Sequence, residues 1–197
     1  RARGSAPAGA ADASRIMSRP VNLLLVWHSR TGLARAMADA LERGALAAAA
    51  EMEAPAFAVE RRRACDATID DVLSASGYLF CAPENLASTS GEMLEFFHRT
   101  YYLAFSGDAL GETSRLLGRP YAAAVAAGSD GRAAAQQMER ICRGWRLRPV
   151  AETLIHRNGQ PQTRELILHG PKACPPDVAE RCKELGGLVA ATLLLSE

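Results

Sequence analysis

The almost continuously apolar run Val21 to Trp27 stops abruptly at His28-Ser29-Arg30-Thr31-Gly32. A helical stripe begins at once, with Leu33, Ala36, Met37, Ala40 and Leu41 at the i, i+3, i+4, i+7, i+8 spacing of an amphipathic helix. An apolar run of that length without alternation reads as a strand buried on both faces of a parallel sheet. Strand, tight turn and helix N-terminus together constrain the fold more than any other feature. The helix start exposes unpaired backbone N–H groups and a partial positive charge, which makes it a ready anion site. Ser29 and Thr31 add hydroxyls to that turn.

The same alternation continues along the chain. The patterning predicts strands over Phe57 to Arg61, Gly77 to Ala82, with Pro83 as terminator, and Pro120 to Ala126. Helices are expected over Asp66 to Leu73, through Met93, Leu94, Phe97 and Tyr101, and through Ala134, Met138, Ile141 and Trp145. Pro149 to Ile155 and Arg164 to His169 read as β-like pieces around Asn158-Gly159, and Val178 to Leu193 as a closing helix. Strands alternating with helices mean an α/β domain with a parallel sheet between two helical layers. Five strands favour the order 2-1-3-4-5, in which ligands sit beyond the carboxyl ends of the strands, at the switch between strands 1 and 3. Those ends are the turns at residues 28–34, 83–91 and 127–132. One domain over residues 20–197 is expected, after a disordered leader over residues 1–19 that has no apolar core of a secretory signal.

Composition narrows the partners. With 23 basic and 22 acidic residues, the chain has no basic stripe for nucleic acid. No apolar run approaches the ~20 residues of a membrane span. The five cysteines, Cys65, Cys81, Cys142, Cys174 and Cys182, show no metal-ligand spacing and are expected to be reduced thiols in the cytoplasm. No metal site is expected.

The phosphate turn is not that of a nucleoside triphosphatase, which needs Gly-x-x-x-x-Gly-Lys-Ser/Thr, nor of a Gly-x-Gly-x-x-Gly dinucleotide fold. Instead, Ser29-x-Thr31-Gly32-x-Ala34 resembles the phosphate loop of the flavodoxin-like family. The loop from Ala82-Pro83-Glu84-Asn85-Leu86-Ala87 to Gly91, with Phe96-Phe97-His98-Arg99 after it, looks like the strand-3 loop and helix of flavodoxin-family NAD(P)H-dependent FMN reductases. Gly128-Ser129-Asp130-Gly131 falls where that family has a further flavin loop. The likeness covers roughly residues 21–155. It departs from the pattern in two places: the strand-3 loop has no aromatic, and His98 stands where relatives commonly have Asp.

The resemblance implies a flavodoxin-like three-layer sandwich that binds FMN. Ser29, Arg30, Thr31, Gly32, Leu33 and Ala34 would cradle the phosphate. Pro83, Glu84, Asn85, Leu86 and Ala87, with Gly128, Ser129 and Gly131, would border the ring. It further implies an oxidoreductase with NAD(P)H as co-substrate, a quinone or other small acceptor, and a possible homodimer. No side chain is assigned a catalytic role, because the cofactor itself accepts the hydride. An electron carrier and a flavin-free interaction module are the other functions such a fold allows. Plainer roles are expected for other residues: His28 as a loop residue near the ligand, Cys81 as a small buried apolar group, and Arg61-Arg62-Arg63 as a solvated strand end.

Overall fold

The computed structural model describes residues 21–105, 113–159, 163–169 and 173–196. The expected leader lies outside the described residues. The elements run β1 (Asn22–Trp27), α1 (Leu33–Glu51), β2 (Ala58–Arg63), α2 (Ile69–Ser74), β3 (Gly77–Asn85), β4 (Ser88–Thr89), α3 (Gly91–Thr100), β5 (Pro120–Ala127), α4 (Arg132–Gly144), β6 (Arg148–Pro149), β7 (Leu154–Arg157), α5 (Arg164–His169) and α6 (Pro176–Leu194), with one 3₁₀ turn at Tyr102–Ala104.

β1 is sandwiched between β2 and β3, and β3 is followed by β5 and then β6, all parallel. β7 pairs with β5 as well, further along the same edge. Counting the parallel strands in chain order, this is the expected 2-1-3-4-5 arrangement: β5 takes the fourth position, and the fifth is shared by two short pieces, β6 and β7. Pro149, which has no N–H for a ladder, stands at the break.

The double burial expected of β1 is seen residue by residue. Leu23 and Leu25 enter the core under α1 and α6, whereas Leu24 and Val26 enter the core under α2, α3 and α4. The second core is aromatic. Phe80 packs against Phe96, Phe97, Tyr121 and Trp145, with ring centroids 5.4 to 6.5 Å apart. In the first core, small residues bring α1 and α6 together. A Cβ on Gly44 would fall on the Lys183 backbone, and one on Gly186 on the Leu41 carbonyl oxygen. α2 is fixed by a capping box in which the Thr68 hydroxyl accepts from the Asp71 N–H and the Asp71 carboxylate accepts from the Thr68 N–H.

Three sequence expectations change. Pro83 does not end β3: it pairs with Ala126, and the strand runs on to Asn85. The Cys81 carbonyl accepts from His28 N–H, so the backbone groups of Pro83, two residues on, face the side where β1 has already ended. Its missing N–H therefore costs no ladder bond. What was expected as a loop from Glu84 to Ser90 is an antiparallel hairpin, Glu84 opposite Thr89 and Asn85 opposite Ser88. Arg164–His169 is a short helix and not a strand. With no strand partner among the described residues, a segment rich in helix formers satisfies its backbone within itself.

Candidate functional site

The parallel register decides where the loops emerge. Trp27 is level with Cys81, Pro83 with Ala126, and Ala127 with Arg157. Four chain segments therefore leave the sheet at one end and enclose a cavity of about 850 Å³. Residues 29–31, 33 and 34 form one wall, 83–87 another, and 128 and 129 a third. All but two of the residues proposed from sequence as flavin contacts thus line a single cavity. The two exceptions, Gly32 and Gly131, shape its edges as the N-caps of α1 and α4, with φ of 95° and 74°. The residues proposed from sequence did not include Ser88, Thr89, Gly91, Leu94, Ala126, Ala127 and Asn158, which also face the cavity. A hairpin in place of a loop brings in Ser88 and Thr89. Asn158 arrives because its N–H donates to the Ala127 carbonyl at 3.0 Å.

At one end of the cavity stands the α1 N-terminus. Its first bond runs from Ala36 N–H to Gly32 O, no side chain caps it, and its first turn holds no acid. Ser29 does not cap the helix as such residues often do. Its Oγ accepts from Gly32 N–H at 3.1 Å and closes the turn. The positive end of the helix dipole is left without a compensating carboxylate.

The other two walls are tied to each other. The Glu84 carboxylate accepts from Gly131 N–H at 3.0 Å and from Ser129 Oγ at 3.3 Å. It thereby occupies the α4 N-terminus, whereas that of α1 has no carboxylate on it. The Gln137 side-chain oxygen accepts from Thr89 N–H at 2.9 Å and from Ser88 Oγ at 2.8 Å, pinning the hairpin to α4. The tip of that hairpin is strained. Leu86 and Ala87 both adopt left-handed φ, 52° and 56°, where glycine would be unstrained, and Leu86 is fully solvent-exposed. An exposed leucine held in an unfavourable conformation at a cavity mouth is a feature that sequence patterning does not reveal.

His28 does stand in the loop just after β1, but it is buried and bonded, not merely near the cavity. It is 2% exposed, with Nδ1 2.8 Å from Ser90 Oγ and Nε2 3.1 Å from a Glu92 carboxylate oxygen. Burial pushes its pKa below the ordinary value, Glu92 opposes that, and Arg30 and Arg63 reinforce it. The arginine run is also more engaged than expected. Arg61 pairs with Asp39 and Glu42 and lies 4.9 Å from the Trp27 ring, and Arg62 pairs with Glu60 and Asp71. Cys81 is fully buried, and burial raises its thiol well above the ordinary range, so it holds no nucleophile. All five cysteines are free. Tyr101 stacks on Trp145 at 6.1 Å, and Tyr102 is exposed. No helix among the described residues is long and apolar enough to cross a membrane.

These groups give the fold a pH signature. Burial lowers the pKa of both His28 and His156. A histidine whose folded pKa lies below its unfolded value of about 6.5 contributes full stability above the unfolded value and loses it as the pH falls from there through the folded pKa. Burial raises Asp71, but hydrogen bonds from Thr68 and the charge of Arg62 outweigh it, so its pKa is lowered and its contribution disappears further down the acid side. Scanning calorimetry is expected to show a flat Tm between about pH 7 and 8, a decline through pH 6 and a second below pH 4, and on the alkaline side a fall as the buried thiols of Cys81, Cys142 and Cys182 resist the ionisation they undergo when unfolded. A Tm that peaks near pH 5 would contradict this.

No protein-family model matches the chain, and no curated protein matches it by sequence. Solved structures do match by shape. A flavodoxin from the domain Archaea superposes with a TM-score of 0.65 over 88% of this chain and 99% of that one, at 16% identity. The chain has a flavodoxin-like fold. The WrbA-like flavodoxin from Agrobacterium tumefaciens shares that fold with it at a TM-score of 0.61 and 12% identity, covering 90% of this chain and 99% of that one. So does the flavodiiron core from Synechocystis, at 0.66 and 16% identity, where 91% of this chain covers 38% of a longer one. Within the flavodoxin-like fold the cavity lies at the carboxyl ends of the strands, beside the switch point between β1 and β3.

Proposed function

We propose that this chain is an FMN-dependent oxidoreductase that passes electrons from NAD(P)H to a quinone or another small acceptor. One observation carries the reading: a single cavity of about 850 Å³ has an uncapped, acid-free helix N-terminus at one end and a partly apolar, hydrogen-bonded pair of loops at the other. That combination suits a phosphate ester joined to a flat, mostly apolar ring.

The residues present fit such a group. The amides of Leu33 and Ala34 and the hydroxyl of Thr31 would hold the phosphate, with Arg30 on the rim. Residues 84–87 and 126–129 would flank the ring, where Leu86, Ala87, Ala126 and Ala127 offer apolar contact and the backbone offers hydrogen bonds. Bound flavin supplies hydride acceptance and electron transfer. The chain's own part is to bind, orient and exclude water. Glu84 holds the two ring loops at a fixed separation, and Gln137 holds the hairpin against α4. Leu86 projects from the mouth, where it would cover part of the ring without the rigid stacking an aromatic would give.

The near balance of 23 basic against 22 acidic residues favours an enzyme with small substrates over a carrier that docks by charge. The names of the neighbours, flavodoxin and WrbA-like protein among them, support a flavin-linked redox role.

The test is direct. Full-length protein is mixed with FMN, and flavin fluorescence and the visible spectrum are followed. NADH or NADPH is then added with benzoquinone or ferricyanide. Quenched, shifted flavin with steady nicotinamide oxidation is expected. Bound flavin without turnover by either nicotinamide would point to a carrier, and failure to bind FMN at all would overturn both.

A further inference from the structure

We propose that His28 is a positioning residue that clamps the phosphate loop to the ring loop and takes up a proton when the phosphate loop fills, which makes FMN binding pH-dependent. The inference rests on the flavin reading above and adds a proton to it.

The geometry is that of a clamp. His28 immediately precedes Ser29, the first residue of the phosphate turn, and its N–H is fixed by the Cys81 carbonyl at 3.0 Å. Its ring reaches Ser90 and Glu92 at the start of α3, 2.8 and 3.1 Å away. Ser90 is the residue before α3, its N–H donates to the Pro83 carbonyl, and its own carbonyl accepts from Leu94 N–H. One imidazole therefore joins the strand end that carries the phosphate loop to the helix that closes the ring loop.

A hydroxyl, an imidazole and a carboxylate in a row suggest a nucleophile, but Ser90 is fully buried, so no substrate reaches its oxygen. What the row does well is hold a proton. With neutral His28, Nε2–H donates to Glu92 and Nδ1 accepts from the Ser90 hydroxyl. With protonated His28, Nε2–H still donates to Glu92, and Nδ1–H donates to the Ser90 oxygen, whose hydrogen turns away. Both hydrogen bonds survive in both states, so the charge changes without breaking the clamp.

The surroundings act on that charge in opposite directions, with burial the largest influence. Facing His28 are Glu92 from α3, Arg63 from the end of β2 and Arg30 from the phosphate loop. Burial and the two arginines disfavour the cation, and Glu92 favours it. A phosphate dianion in residues 29–34 adds negative charge beside Arg30 and next to the chain segment that carries the imidazole. That favours the cation, and the proton comes from solvent. By linkage, a ligand that raises a pKa binds more tightly at lower pH.

The experiment follows the His28 Cε1–H resonance of the full chain by NMR from pH 5 to 8.5, alone, with FMN and with riboflavin. Its assignment comes from the H28N variant. Calorimetry then measures FMN affinity against pH for the wild type and H28N, which keeps a hydrogen-bond partner for Ser90 but cannot take a proton. The phosphate's own ionisation is common to both proteins and cancels. FMN is expected to raise the His28 pKa and riboflavin to leave it in place. An upward shift of one unit corresponds to an affinity gain toward acid about tenfold larger in the wild type than in H28N. If FMN binds and the resonance does not move, the proton coupling is wrong while the flavin reading stands. If FMN does not bind, both fall together. Should H28N fail to fold, the wild-type titrations decide alone.

Discussion

Alanine at Gly44 or at Gly186 is expected to lower the unfolding free energy by about 3 kcal/mol, the upper range for overpacking a close-packed interior. For a chain of this size that is a fall in Tm of roughly 10 °C. The two glycines lie on opposite sides of the α1–α6 contact, where the Cβ on Gly44 would strike the Lys183 backbone and that on Gly186 the Leu41 backbone, not a side chain that can swing aside. Relief would need the helices to separate, and that opens the core of Leu41, Ala45, Val189 and Ala190. Gly187 provides the control. Its nearest neighbour to an added Cβ is the Gly44 carbonyl at 3.4 Å, so Gly187→Ala is expected to be neutral or slightly stabilising, since alanine is the better helix former. Thermal melts of the three variants decide the matter, and equal Tm values would show that the close approach is not what holds α6 in place.

The second large effect separates binding from stability. Thr31→Asp places a carboxylate beside the open α1 N-terminus, where no acid stands in the native chain. An acid at that end of a helix stabilises the protein by about 0.3–1 kcal/mol. The same charge occupies the place proposed for the FMN phosphate. Two unit charges 4 Å apart near a protein surface repel by about 4 kcal/mol, so even a discounted share weakens FMN about a hundredfold or more. Tm up or unchanged with flavin affinity lost is the expected pair of results, read by calorimetry and fluorescence quenching. Thr31→Asn, of similar size and uncharged, is expected to keep most of the affinity. Were the aspartate variant to bind FMN as well as the wild type does, the phosphate would not sit at this helix.

How much of this was readable beforehand varied from element to element. β1 and the start of α1 were legible because burial on both faces and a helical stripe leave strong periodic signals. The sheet order and the three loops that line the cavity followed from the alternation of strands and helices. The continuation of β3 through Pro83 was not legible, because whether a proline breaks a strand depends on which neighbour would have used its N–H. The hairpin tip at Leu86-Ala87 was hidden for a related reason: turns of that kind are recognised by glycine or asparagine, and here neither stands at the two central positions. Arg164–His169 misled because six residues with three large aliphatics fit both periods equally.

By itself the sequence determined the local order: a buried strand, a hydroxyl-rich turn ending in glycine, an amphipathic helix, and the repetition of strand and helix into a parallel sheet. Those are short-range properties, written in the spacing of apolar residues and in where glycine stands. Only the tertiary structure decided that His28 meets Ser90 and Glu92, that Glu84 closes the α4 N-terminus while α1 is left open, and that two glycines let α1 and α6 touch. Each of these joins residues far apart in the chain, through hydrogen bonds and contact distances that no periodicity encodes.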